Sequence, residues 1–347
     1  MSMKAKILEL LREKKDRVAA GAPESEAYVS GQELCEQFGV SRTAVWKAIG
    51  QLKKEGYVIE AVQNRGYRLL DQTEEVYNQA DIQSRLKTKW VAHPLQFFDS
   101  IDSTNIRAKL EAEQGAESGL LVVSDMQSAG RGRRGRGWES PAGINIYYTL
   151  MLKPDFSSDC APMLTLVMAL AVAKGIRQTL GRDSREAAAK VGIKWPNDIV
   201  VDGKKVCGIL TEMSMEQGYI HHIVIGVGIN VRRQEFSEEI RERAAAIEEQ
   251  CGFRISRSQL IADIMEAFEE DYEIFLQTHD LKGLRDSYAK LLLNQDREVC
   301  VLDPKGEYRG IARGINDQGE LIVERQDGTV EEVYAGEVSV RGVYGYV

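Results

Sequence analysis

The chain has 347 residues, 43% of them hydrophobic and 28% charged, which argues against wholesale disorder and suits two or three globular domains. Its net charge of −8 excludes a protein that coats nucleic acid with its whole surface, yet residues 1–70 hold 12 Lys/Arg against 9 Asp/Glu, so one end is mildly basic. Five scattered cysteines with no C-x-x-C pair argue against a disulfide framework and a thiolate metal site.

The opening run MSMKAKILELLREKKDR has the shape of neither a signal nor a transit peptide, so a cytoplasmic location is expected. It predicts a helix over 4–17 with Ile7, Leu8, Leu10 and Leu11 on one face, ended by the Gly/Pro/Ser break at 21–25. In SGQELCEQFGVSRTAVWKAIGQLKKEGY, Ser30 caps one short helix, Phe38-Gly39-Val40 turns the chain, and Ser41 caps a second helix that turns Val45, Ile49 and Leu52 inward. That is a helix-turn-helix. Two strand-like runs, 58–62 and 67–70, joined by QNRG, add the wing of a winged helix. Arg42, Thr43, Trp46 and Lys47 point away from the inward face, where base and phosphate contacts arise when a helix enters a major groove; Arg65 at the wing tip would meet backbone or minor groove. Two alternatives stay open: Trp46 packed against the domain rim, and a winged helix that serves protein contacts.

Residues 71–90 read as a connector and a helix around 80–86. From about 95 to 293, strand-like runs at 120–123, 144–152, 199–201 and 223–231 mix with long helices too irregularly for β-α-β alternation, which predicts an α+β domain. The apolar run 161–173 falls short of the roughly 18 residues of a membrane span and reads as a buried helix. Ser256 and Gln259 predict a capping box for a helix burying Leu260, Ile261, Ile264, Phe268, Tyr272 and Phe275. After 294, strands at about ten-residue spacing, with DPKGE, NDQG and QDG turns, predict a small barrel. The expected domains are therefore 1–70, 71–293 and 294–347.

The run SAGRGRRGRGW (128–138) packs four glycines and four arginines into eight positions and contains G-x-G-x-x-G. A dinucleotide site needs a strand ending at the first glycine and a helix opening near the third; here Trp138, Ser140 and Pro141 follow and then another strand. RNA-binding RG tracts are longer and lie in disordered tails. A solvated basic loop would not need four glycines, each of which adds chain entropy. The composition suits a flexible loop closing on phosphate or carboxylate, with backbone N–H groups and forked arginine donors.

The motifs SIDSTN (100–105), DMQSAGRGRRGRGW (125–138), KWPNDI (194–199), KKVCGIL (204–210) and GVGINV (226–231), in this order, closely resemble those of the biotin protein ligases. With a winged helix in front, the whole chain resembles the bifunctional bacterial type, a biotin–[acetyl-CoA-carboxylase] ligase that also represses the biotin operon. The resemblance implies an α+β multidomain fold: the winged helix, a class II synthetase-like domain with a mixed or antiparallel sheet, and a C-terminal SH3-like barrel. It implies biotin and ATP as substrates, with Mg²⁺, and biotinyl-5′-AMP as the intermediate. The acceptor is a lysine of the biotin carboxyl carrier protein of acetyl-CoA carboxylase and of other biotin-dependent carboxylases. It also implies a homodimer, formed with the adenylate bound, on an inverted-repeat operator, and no membrane partner.

Residue by residue, Arg131, Arg133 and Arg134 match the family's loop arginines, with Arg133 expected on the biotin carboxylate and phosphate; how the other two divide carboxylate and phosphate stays open. Lys205 matches the lysine bridging the biotin carboxyl and the α-phosphate, so Arg133 and Lys205 are the expected catalytic pair. Ser103, Thr104, Asn105, Gln127, Gly130 and Gly208 match the biotin pocket, and Gly226 and Gly228 are expected to let backbone approach the ligand. Trp138, Lys194, Asn197 and Asn230 match the nucleotide side, Trp138 as a face for adenine. Asp198 is a candidate for placing Mg²⁺ or for capping a turn. Two other readings are a ligase-like biotin sensor that only represses and a lipoate-type ligase.

Overall fold

The amphipathic N-terminal run is a helix, α1 (Met3–Ala19), that buries Ile7, Leu8, Leu10 and Leu11. The computed structural model describes residues 1–72, 74–216, 218–303, 306–334 and 339–342, the last four as backbone alone. Two compact units, Met1–Leu86 and Lys87–Val347, divide the chain.

In the first unit α2 (Gly31–Phe38) and α3 (Arg42–Lys54) begin where Ser30 and Ser41 accept from the amides of Glu33 and Ala44, satisfying orphan donors of each helix start. Gly39 joins them at φ 62°, the left-handed region that costs glycine nothing. Strands β1 (Ile59–Val62) and β2 (Gly66–Leu69) pair antiparallel as the expected wing, Ile59 opposite Leu69. Leu34, Val45, Ile49 and Leu52 close one core with the apolar face of α1. A short helix, α4 (Gln79–Gln83), is held to the same unit by buried Asp81, which accepts from Arg12, from Arg85 Nε at 3.1 Å and from the Tyr57 hydroxyl at 3.1 Å.

The second unit is built on a seven-stranded sheet. In chain order its elements are β3 (Leu95–Phe98), α5 (Thr104–Glu113), β4 (Leu120–Ser124), β5 (Ile146–Leu152), α6 (Met163–Gly181), α7 (Arg185–Ala189), β6 (Val191–Lys194), β7 (Asp198–Val201), β8 (Lys204–Glu216), β9 (Tyr219–Ile229), α8 (Ile247–Cys251) and α9 (Arg257–Thr278). The spatial order β3-β4-β5-β9-β8-β7-β6 is antiparallel throughout except for the parallel β3–β4 pair, which is the expected mixed sheet of an α+β domain. Alternation along β5 sorts the helices. Thr149 Oγ1 bonds Thr104 and Asn105 of α5, whereas the neighbouring Tyr148 hydroxyl meets Met168 of α6, so α5 and α6 cover opposite faces.

Helix α6, with the turn before it, spans Ser158–Gly181 and is long and apolar enough to cross a membrane by length and composition, longer than the 13-residue run suggests. Its apolarity is spent inside the protein: 72% of that window is buried, much of it against α9. Ser256 Oγ accepts from the Gln259 amide and starts α9, whose Leu260, Ile261, Ile264, Phe268, Tyr272 and Phe275 are all buried as predicted. Helix α10 (Arg285–Ala289) leads into a separate antiparallel sheet of β10 (Glu298–Leu302), β11 (Tyr308–Ile315), β12 (Leu321–Glu324), β13 (Val330–Val333) and β14 (Ser339–Gly342), ordered β13-β12-β11-β10-β14. Parts of the DPKGE turn and of the last predicted strand lie outside the described residues. Trp195, just after β6, donates its indole N–H to Gly319 O at 3.0 Å and its amide to Asn294 Oδ1 at 2.9 Å, tying the main sheet to the C-terminal segment.

Helices α6 and α9 meet at Gly175, where a Cβ would come within 2.5 Å of the Ile264 side chain and 2.9 Å of its backbone. Gly175→Val is therefore expected to lower stability by about 1–3 kcal/mol through overpacking, read as a shift of the urea midpoint; an unchanged midpoint would show that α9 can move away freely.

Candidate active site

Two of the quoted motifs, 25 residues apart in sequence, are neighbours because residues 101–102 run parallel to 126–129. The Ile101 amide donates to Met126 O at 3.1 Å, Ser128 to Ile101 O at 2.9 Å and Ala129 to Asp102 O at 2.9 Å. This sets Gln127 under the start of α5, where its Oε1 accepts from the Thr104 amide (2.8 Å) and hydroxyl (3.1 Å) while its Nε2 donates to Ser140 Oγ at 3.1 Å. Asn105 donates to Glu212 Oε2 at 2.7 Å and accepts from Thr149 Oγ1 at 2.6 Å. Ser103 is buried at the N-cap of α5 and makes no side-chain capping bond. Thr104, Asn105 and Gln127 are bonded into one network, together with Thr149, Ser140, Glu212 and Lys109, whose Nζ lies 2.7 Å from Glu212 Oε1. These last four escape sequence reading: a lone threonine in the buried strand IYYTLML and a glutamate in a polar stretch of β8 carry no motif.

Gly208, Gly226 and Gly228 line the α5 face of the sheet. A Cβ at Gly226 would run into the Asn105 amide, one at Gly228 would come within 2.5 Å of the Trp138 indole, and one at Gly208 within 2.9 Å of the same ring. The close approach expected of these glycines is thus made here by side chains of the protein itself. Trp138 lies in the trough they leave, half-buried, with its Nε1 buried and without a hydrogen-bond partner among the described residues. Gly130 is needed for a related reason, since a Cβ there would come within 2.7 Å of Ser140 Oγ and 3.2 Å of Gln127 Nε2.

The glycine–arginine run folds back on itself as a small hairpin. Trp138 N donates to Gly130 O at 3.0 Å, Gly132 N to Arg136 O at 2.8 Å, and Arg133–Gly135 make one 3₁₀ turn. No longer helix follows the third glycine, so the dinucleotide reading fails on geometry as it does on spacing. Arg131, Arg134 and Arg136 are exposed, whereas Arg133 is half-buried and donates to Asn197 Oδ1 at 2.8 Å. Burial pushes its guanidinium below the ordinary arginine value, against the pull of Asp198 and with the repulsion of Arg134.

Across from it Lys205 Nζ stands 2.6 Å from Asp198 Oδ1 and 5.6 Å from the centre of the Trp138 ring. Its backbone is fixed by the 243–245 segment: Lys205 N donates to Arg243 O at 2.7 Å and Ala245 N to Lys205 O at 2.9 Å. Lys194 and Asn230 are both buried, Lys194 opposite Asp198 in the β6–β7 register and Asn230 bonded through its backbone to Val206, the residue after Lys205, and to Ile247. Arg133, Asn197, Asp198, Lys205 and Trp138 therefore form one cluster over the glycine trough. It is suited to an anion: a half-buried guanidinium and a point-charge cation flank a site whose floor is backbone. Asp198 is the carboxylate of this cluster and faces Lys205 and Arg133, so a Mg²⁺ here would be held chiefly by the substrate's phosphates with this one carboxylate beside them.

In the first unit Arg42, Thr43, Trp46 and Lys47 are all exposed along α3. Trp46 is 67% exposed, so it does not pack on the rim. Arg65 is exposed at the wing, its guanidinium 5.6 Å from the Tyr28 ring centre. Arg42, Thr43, Trp46 and Lys47 form one outward face of α3, whose other side is packed in the core.

Residues 97–230 match the biotin/lipoate A/B protein ligase family, residues 24–68 an HTH domain, and residues 296–341 the biotin protein ligase C-terminal domain. Over 332 residues the chain is 37% identical to the bifunctional ligase/repressor BirA of Bacillus spizizenii, covering 94% of this chain and 98% of that one. It is 33% identical to the Escherichia coli bifunctional ligase/repressor BirA over 312 residues, 90% of this chain and 92% of the relative. Among solved structures it is similar to the biotin protein ligase of Aquifex aeolicus in complex with biotin and ATP, with a TM-score of 0.60 and 28% identity over 72% of this chain and 98% of that one.

Burial raises the Glu212 carboxyl, but the bonds from Lys109 and Asn105 outweigh it and leave the group below its ordinary value. Its contribution to stability is then complete above the ordinary glutamate range and is lost as pH falls through the lower folded value. Glu212→Gln is expected to be less stable than the wild type at pH 7 by about 1 kcal/mol, after allowing for partial exposure, and equal to it in strong acid. Urea midpoints across pH check this, and a gap that does not close in acid contradicts it.

Proposed function

The chain belongs to the biotin/lipoate protein ligase family, among its bifunctional ligase/repressors, and from that premise we propose what each part of it does. It is an ATP-dependent biotin–[acetyl-CoA-carboxylase] ligase. Biotin's carboxylate attacks the α-phosphate of ATP, pyrophosphate leaves, and biotinyl-5′-AMP then acylates a lysine of the biotin carboxyl carrier protein, releasing AMP. With the adenylate bound, the protein represses transcription of the biotin operon through its winged helix.

The observation that carries this reading is the meeting of Arg133 and Lys205 over the glycine trough. A carboxylate and a polyphosphate repel one another, so their approach needs cations placed before they arrive. Lys205 serves as the point charge between biotin carboxyl and α-phosphate, drawn there from its ion pair with Asp198. Arg133, locked by Asn197, presents a forked donor to the same oxygens, and exposed Arg131 and Arg134 extend the positive wall toward the phosphates. The buried indole N–H of Trp138 offers a donor to the nucleotide. Lys194, Asn197 and Asn230 support the ATP side. Ser103, Thr104, Asn105, Gln127, Gly130 and Gly208 shape the biotin pocket, and because the first residues are already bonded together, little ordering is needed on binding. No nucleophile of the protein is required, since the acceptor lysine belongs to the carrier; the hairpin's task is to keep water from the adenylate until it arrives.

In the first unit Arg42, Thr43, Trp46 and Lys47 read the operator's major groove while Arg65 touches backbone at the wing. The basic face is small, which favours a homodimer on an inverted repeat, assembled when the adenylate is bound, in the cytoplasm. Delivery to the carrier and dimerisation then compete for the same adenylate-bound protein.

Lys205→Ala is expected to cut biotin-dependent pyrophosphate release from ATP by about 10²–10³-fold with folding intact, and a normal rate would overturn the assignment. The same assay with lipoate in place of biotin should give no release. Arg133→Ala should speed dissociation of biotin and of the adenylate; unchanged rates would remove it from the site. Gel shift on operator DNA should tighten when biotin and ATP are added, and Trp46→Ala with Lys47→Ala should abolish the shift without changing pyrophosphate release. An equal shift with and without the substrates refutes the coupling.

A further inference from the structure

We propose that Glu113, His221 and His222 form a binding site for a divalent transition-metal ion of the Zn²⁺ class, away from the ligase centre. The three ligand atoms face one another: His221 Nδ1 to His222 Nδ1 is 3.0 Å, His221 Nδ1 to Glu113 Oε1 is 3.3 Å, and His222 Nδ1 to Glu113 Oε1 is 3.7 Å. An ion with bonds of about 2.0–2.1 Å in a tetrahedral shell spaces its ligands by roughly 3.3–3.4 Å, and the three edges bracket that value.

Consecutive residues of a strand point to opposite faces, so two adjacent histidines should not converge. They do because of a bulge. In the β8–β9 ladder Ser214 opposes His222 and Met215 opposes Ile220, which leaves His221 as the extra residue and turns its ring to the side of its neighbour. His222 is 2% exposed and aims Nδ1 into the cluster, while half-buried His221 and exposed Glu113 complete it. Lys109 and Lys153 are the cations whose charge reaches His222 from the neighbouring elements. The two lysines are occupied otherwise, Lys109 with Glu212 at 2.7 Å and Lys153 with Ala112 O at 3.2 Å.

Two imidazoles and one carboxylate select Zn²⁺ and its borderline neighbours over Mg²⁺ or Ca²⁺, and the exposed side of Glu113 leaves room for water as the fourth ligand. Glu113 is the last residue of α5 and Asn105 lies eight residues earlier, about 12 Å along the helix, so the ion would pin the far end of α5 to β9.

The test is titration of the metal-free full chain with Zn²⁺ by calorimetry, with Co²⁺ absorption as a second readout of tetrahedral ligation. The wild type should bind one ion that Mg²⁺ does not displace, and Zn²⁺ should raise its melting temperature. Glu113→Gln should weaken binding at least about tenfold, and His221→Asn should abolish both binding and the rise in melting temperature. Both substitutions fall outside the core, and circular dichroism confirms their folding. No binding by the wild type overturns the proposal. So does equal binding by wild type and variants, which would place the ion elsewhere, for instance on cysteine. Pyrophosphate release is independent of either result.

Discussion

Close approach to the sheet is the constraint on which the second unit depends. Along β8 and β9, Gly208, Gly226 and Gly228 remove side chains from one face, and the cleared backbone receives Asn105 from above and the Trp138 indole from the side. Any Cβ there would lift α5 or expel the tryptophan, and with it the hairpin that carries Arg133. The cations can converge only because the floor beneath them is bare.

Around that floor the charges are held by mutual pairing. Lys205 rests on Asp198 and Lys109 on Glu212, ion pairs that compensate those cations before any ligand arrives, while Arg133 is held by a hydrogen bond to the neutral amide of Asn197 in the field of Asp198. Paired in this way, the cluster avoids the cost of isolated buried charge and still offers an exchange of partners to an incoming anion. The neutral network of Thr104, Gln127, Ser140 and Thr149 does the same for the polar groups beside it, and together they make a site set largely by the scaffold.

Much of this was legible in sequence where the signal is local. Ser30, Ser41 and Ser256 announce helix starts because a hydroxyl satisfies an amide two or three residues on, and the apolar period of 257–278 marks its buried side. The winged helix and the α+β class followed from local pattern, whereas the expected sheet and the roles given to Arg133, Asn197 and Lys205 came with the resemblance of the motifs. What stayed hidden depends on partners distant in sequence. Strand β8 mixes polar and apolar residues because Glu212 and Thr211 answer to α5 and α6, so it does not read as a strand. The glycine–arginine run folds back as a hairpin on its own carbonyls and on Asn197, the last a contact across 64 residues that no local pattern encodes.

The bonds from Trp195 have an evolutionary corollary. The turn that presents Asn197 and Asp198 hangs from an indole whose N–H is satisfied, among the described residues, by Gly319 in the turn between β11 and β12, at a glycine with φ 78° where a Cβ would press on Leu166 and Leu281. A terminal module borrowed from another protein would have to reproduce that carbonyl and that left-handed backbone, or leave a buried donor orphaned under the turn of Asn197 and Asp198. The terminal sheet and the sheet it braces are consequently not interchangeable parts; they can drift in sequence only together, as a matched pair.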